Sequence, residues 1–138
     1  MRSLVAIEAE LDAFAACADG RQAARSLLAL TEEVLEHWIV ARGERPTDEQ
    51  REGFRLLALH RQGARGEPSF NACRETCREI AYHYNLLCLQ PDVELDARHQ
   101  SMMAMLAKHL TLFVGGKMQS EKLGEFCCSS RALRSASS

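Results

Sequence analysis

The sequence predicts an all-α protein, a bundle of about five principal helices in two related helical hairpins with a loose C-terminal tail. Three observations carry this. Ala, Leu, Glu, Arg and Gln dominate a chain of 138 residues, and these are good helix formers. Only three prolines occur, and alternating runs of Val, Ile, Thr or aromatic residues, the material of a sheet, are scarce. Apolar residues recur at three-and-four spacing through most of the chain, so each segment has one stripe to bury.

Helix 1 is expected from Leu4 to Ala18, capped by Ser3 and stopped by Asp19-Gly20. Leu4, Ile7, Leu11, Phe14, Ala15 and Ala18 form its stripe. Helix 2 should follow from Arg21 to Ala41, with Leu27, Leu30, Val34, Leu35 and Trp38 inward, and end before Gly43 and Pro46. Thr47 then reads as the N-cap of helix 3, with Gln50 completing a capping box. That helix carries Phe54, Leu57 and Ala58 and fades through Gln62 to Gly66.

Pro68-Ser69 opens helix 4, expected from Ser69 to Leu89 with Phe70, Cys73, Cys77, Ile80, Ala81, Tyr84, Leu87 and Cys88 inward. Pro91-Asp92 opens helix 5, which should run to Val114 and stop at Gly115-Gly116. Its inner face is expected to hold Leu95, His99, Met102, Leu106, His109, Leu110 and Phe113. The bundle domain is thus placed at 1–116, with 117–138 as an extension, partly helical or disordered and ending in SSRALRSASS. Short links between long amphipathic helices make antiparallel neighbours.

Composition narrows the function. Hydrophobic residues make up 46% and charged residues 26%, values of a globular domain. A net charge of −2 provides no global field toward nucleic acid or an anionic membrane. Acidic residues Glu8, Glu10 and Asp12 break the opening segment, so no signal peptide is expected, and no stretch approaches the roughly 20 apolar residues of a membrane helix. A cytoplasmic location follows, where six cysteines read as thiols or metal ligands. No Cys-x-x-Cys pair, Gly-x-Ser-x-Gly motif or phosphate-binding glycine loop is present. The linker from Arg42 to Gln50 is long for a helix-turn-helix.

Helices 2 and 4 echo one another. Glu33-Val34-Leu35-Glu36-His37-Trp38 aligns with Glu79-Ile80-Ala81-Tyr82-His83-Tyr84, and the match extends to Leu27 with Cys73, Thr31 with Cys77 and Val40 with Leu86. Duplication of a hairpin would produce this, as would chance likeness of two amphipathic helices.

The echo also supplies the first candidate site. Residues four apart share a helix face, so Glu33 with His37, and Glu79 with His83, each present a carboxylate beside an imidazole. Two such units face to face would offer a ligand set suited to iron, zinc or manganese. That loosely resembles the carboxylate–histidine bundles that hold two metals, although the Glu-x-x-His spacing of ferritin-like proteins and the hemerythrin histidine pattern are absent. Each stripe lies roughly 90–130° from the centre of its helix's apolar face, the position of an ordinary boundary pair.

Cys73, Cys77 and Cys88 fall within about 60° of one another on helix 4. They read as a soft-metal site or, more commonly, as small core residues. His109 is expected near the centre of the apolar face of helix 5, where it must hydrogen-bond or ligate, with His99 nearer the edge. Cys127-Cys128 is a vicinal pair open to oxidation. The function expected is a small binding or regulatory module acting through protein–protein contacts, with another protein or a second copy. The alternative is a metal- or cofactor-binding bundle with the Glu/His site between helices 2 and 4 and a redox or sensing role.

Overall fold

The computed structural model describes residues 2–65, 73–90 and 92–122. Five helices follow in order: α1 (Leu4–Asp12), α2 (Gly20–Ala41), α3 (Arg55–Ala64), α4 (Arg74–Leu89) and α5 (Val93–Ser120). Among the described residues there is no strand, and no helix is long and apolar enough to cross a membrane. The expected starts of helix 4 at Ser69 and of helix 5 at Pro91, Phe70, the Cys127-Cys128 pair and the residues beyond Lys122 lie outside the described residues.

At 28 residues, α5 is about 42 Å long and serves as the spine. It packs against α1, α2 and α4, while α2 also packs on α3 and α4. The core these helices share is built from Ile7, Leu27, Val34, Leu35, Trp38, Ile39, Leu56, Leu59, Ile80, Leu87, Met103, Ala107, Leu110 and Val114.

Local chemistry sets most of the boundaries. The hydroxyl of Ser3 accepts from Ala6 N at 3.1 Å and starts α1 as expected. Asp19, expected within a stop, instead caps α2 by accepting from Gln22 N at 3.1 Å. Asp92 caps α5 by accepting from Glu94 N at 3.0 Å. Gly20 is required by packing, because a Cβ there would lie 2.2 Å from a carboxylate oxygen of Asp96. This approach sets the Asp96 charge at the N-terminus of α2, where the helix dipole favours it.

Three boundaries differ from expectation. First, α1 ends at Asp12 because the chain beyond it is held from outside. Gln100, fully buried on α5, accepts from Cys17 N at 2.9 Å and donates to Cys17 O at 2.8 Å. Those bonds replace the helical ones that an extension to Ala18 would need.

Second, α3 starts at Arg55. The sequence Arg51-Glu52-Gly53-Phe54 makes a tight turn with left-handed backbone at Glu52 (φ 54°) and Gly53 (φ 86°). Reciprocal bonds link Arg51 and Phe54, N to O, at 2.9 and 3.0 Å. Glycine at the second left-handed position makes such a turn accessible. Thr47 makes a local turn, accepting from Glu49 N at 3.1 Å, and its own N–H donates to Gln62 at 2.9 Å. No capping box forms.

Third, α5 continues through Gly115-Gly116 to Ser120. Met118 is buried, so packing overrides the weak helix propensity of two glycines.

The deepest polar contact joins α2 to α3. Trp38 is fully buried and its Nε1 donates to Gly63 O at 3.0 Å, while Arg42 donates to the same oxygen at 2.7 Å. The Arg42 guanidinium also sits 5.9 Å from the indole centroid. One carbonyl at the end of α3 thus anchors two side chains of α2. Trp38→Phe keeps a ring and removes the donor; it should lower unfolding stability by about 1–3 kcal/mol. Urea unfolding followed by circular dichroism should show a lower midpoint at unchanged slope, and an unchanged midpoint would count against this anchoring role.

Candidate protein-docking surface

The structure makes α2 and α4 neighbours, which a shared Glu/His site requires. The side chains nevertheless take other partners. Glu33 accepts from the backbone N–H of Arg2 at 3.0 Å and from its guanidinium at 2.6 Å, and His37 Nε2 donates to Arg2 O. This first pair therefore straps Arg2, just before α1, onto α2. Glu79 is exposed on α4, and His83 is buried with its Nδ1 3.0 Å from Nδ1 of His99 on α5. Among the described residues, no group of three His, Cys, Asp or Glu side chains stands close enough to hold a metal ion.

The echo does extend to burial. Leu27 and Cys73, Thr31 and Cys77, Val34 and Ile80, and Leu35 and Ala81 are all buried. Cys73 and Cys77 are free thiols at the start of α4. Burial pushes the Cys73 thiol up to about 11 and raises Cys77 as well, with the neighbouring Cys73 adding to the effect. Both are protonated at neutral pH, the state of core residues; metal ligation needs the thiolate.

His109 is the clearest correction, because it is exposed. The inner face of α5 is formed by Gln100, Met103, Ala104, Ala107, Leu110, Thr111, Val114 and Met118. Of the residues expected inside, Leu110 is buried and Leu106 and Phe113 pack partly on the core, whereas Leu95, Met102 and His109 are exposed. Leu95, Met102, Met105 and Leu112 are all exposed, with Met105 at 57% and Leu112 at 51%.

The outward positions are regular. Leu95, Arg98, Met102, Met105, His109, Leu112 and Gly116 alternate steps of three and four, the spacing of a coiled-coil seam. Over Leu95–Gly116 the row is about 32 Å long. Leu106 and Phe113 flank it, partly buried against the core. Opposite the row, Gln100, Ala107 and Val114 are fully buried. Thus α5 exposes Leu95, Met102, Met105 and Leu112, with Arg98 and His109 between them, on the face opposite its buried one. An apolar stripe of this length is the kind of surface that marks a contact site.

At the flank of the row, His83 and His99 restrict protonation. A bond between their Nδ1 atoms needs one nitrogen without a proton, so both rings cannot be charged together. Burial and the neighbouring His99 lower the pKa of His83, with Glu79 opposing them. A depressed native pKa means that the unfolded chain binds more protons, so stability falls as pH drops through about 6.5, the unfolded value. His60, lowered by burial and Arg74, adds in the same sense. The urea midpoint should therefore decrease from pH 7.5 to 5.5, and His83→Gln should flatten that slope; an equally steep slope in the variant would contradict the assignment. Comparisons with protein-family models, with curated proteins and with solved structures give no match to this chain.

Proposed function

We propose that this chain is a helical-bundle docking module that acts through protein–protein contacts, and that it docks by pairing the outer row of α5 with the same row of a second copy. The observation that carries this is the three-and-four row of exposed Leu95, Met102, Met105 and Leu112 on a helix whose opposite face is already buried. Large apolar side chains exposed in a row mark a site of contact with another surface.

An antiparallel arrangement suits the residues. It sets Met105 against Met105 at the centre and Met102 against His109 on either side. At the ends it brings the large Leu95 beside Gly116, which leaves room for it. The first turn of α5 carries Glu94 and the last turn carries Lys117, so antiparallel pairing also brings opposite charges to the same end. Two methionines at the centre adapt readily to a facing surface.

Sedimentation analysis of the wild-type chain should give a dimer, and Met105→Glu should give a monomer. Met105 is exposed in the single chain, so the variant should keep its helical circular dichroism. A wild-type monomer at the highest concentration reached, or an unchanged dimer in Met105→Glu, would overturn the proposal.

A further inference from the structure

A second surface, away from α5, concentrates positive charge that, Arg78 apart, no salt bridge among the described residues neutralises. It lies where α3, the turn before it and the start of α4 meet. A cavity of about 260 Å³ there is lined by Arg51, Arg61, Arg74 and Arg78, with His60, Leu57 and Ala64 as its floor and wall. No carboxylate among the described residues lines it. Arg78 pairs with Glu52 at 2.7 Å, and that carboxylate is held below its usual range by the contact. Arg51 and Arg74 feel Glu52 only at longer range. Among the described residues, no salt bridge holds Arg51, Arg61 or Arg74.

The cavity shares Arg51 and Arg61 with a wider one. Arg51 and Arg61 also line a cleft of about 960 Å³ under residues 44–51, which adds Arg45 and Arg65. The wider cleft is mixed in character: Glu44, Asp48, Glu49, Thr47 and Gln62 line it too. One end of the combined basin is therefore purely cationic, and the other offers both hydrogen-bond donors and acceptors.

Guanidinium groups gathered in this way repel one another, in a protein whose net charge is −2. We infer that the basin binds a small phosphate monoester, with the phosphate between Arg51, Arg61 and Arg74 and its polar body in the wider cleft. Planar guanidinium forks match phosphate oxygens bidentately. A phosphate monoester brings about −1.5 to −2 charges at neutral pH, so it offsets more of the cluster than a single carboxylate does. The cavity of about 260 Å³ is below the usual volume for a whole ligand but ample for a phosphoryl group; the adjoining cleft has the size for the remainder. His60, buried in the floor, presents a further polar ring to the same space. This inference is independent of the α5 docking face.

Isothermal titration and thermal melts of the full chain, with inorganic phosphate and with ribose 5-phosphate as probes and chloride at matched ionic strength as reference, test it. Both probes should raise the melting temperature saturably, and ribose 5-phosphate should bind at least about fivefold more tightly because it also fills the cleft. The double variant Arg61→Gln/Arg74→Gln should weaken both probes at least about tenfold, while Arg21→Gln, outside the basin, should leave them unchanged. Arg61 and Arg74 are exposed, so the double variant should melt cooperatively without ligand, at or above the wild-type temperature once the repulsion is relieved. No saturable shift with either probe would overturn the inference, as would binding retained in the double variant. Equal affinity for the two probes would overturn the monoester assignment.

Discussion

Three of the other four helices are placed by one constraint: α5 has a long apolar face that needs covering. Its inner face holds Met103, Ala107, Leu110 and Val114, all fully buried. Around this face α1, α2 and α4 arrange themselves, and the core is continuous from Ile7 to Met118. Burial of apolar area at about 25 cal/mol per Å² makes this the dominant stabilising contribution. The outer face belongs to the same helix, 28 residues long, and exposes Leu95, Met102, Met105 and Leu112.

Polar contacts then fix how the other helices meet that spine. Gln100 reaches from α5 to the backbone of Cys17 and ends α1, so the link into α2 is pinned to the spine near its start. Gly20 allows α2 to approach Asp96 closely. At the far end of α2, Trp38 and Arg42 share the carbonyl of Gly63, and α3 is held against them. Arg55 ties the start of α3 to Glu32 and Glu36 of α2 at 3.4 and 3.5 Å. Burial raises the pKa of Glu32 while the Arg55 guanidinium works against it, the balance of a half-buried ion pair. Because these contacts set α3 and the loop before it, they also set the spacing of the arginines in the basin.

The helix order, α2 almost to the residue, and the capping role of Ser3 were legible in the sequence because local chemistry decides them. Where tertiary contacts decide, the reading failed. The end of α1 depends on Gln100, 83 residues away from Cys17. The late start of α3 had a local signal, the Glu52-Gly53 pair in a left-handed turn, which the more familiar Thr47/Gln50 pattern masked. On α5 the error was one of face. The stripe through Leu95, Met102, His109 and Phe113 is real, but a second stripe faces the core, and periodicity alone cannot tell which of two apolar faces is inside. Glu33 and His37 lie at boundary positions, as their angle to the apolar face suggested, and Arg2 meets them there, whereas Glu79 is exposed and His83 is buried against His99.

Methionine oxidation by hydrogen peroxide tests the two faces of α5 most directly, because three methionines within four residues sample both. Met103 is 0% exposed, Met102 is 37% and Met105 is 57%. In dilute protein, Met102 and Met105 should oxidise quickly while Met103 stays protected. In concentrated protein, the account predicts that Met102 and Met105 become protected as well, with Met103 unchanged. Rapid oxidation of Met103 would contradict the inner face, and rates at Met105 independent of concentration would contradict the outer one.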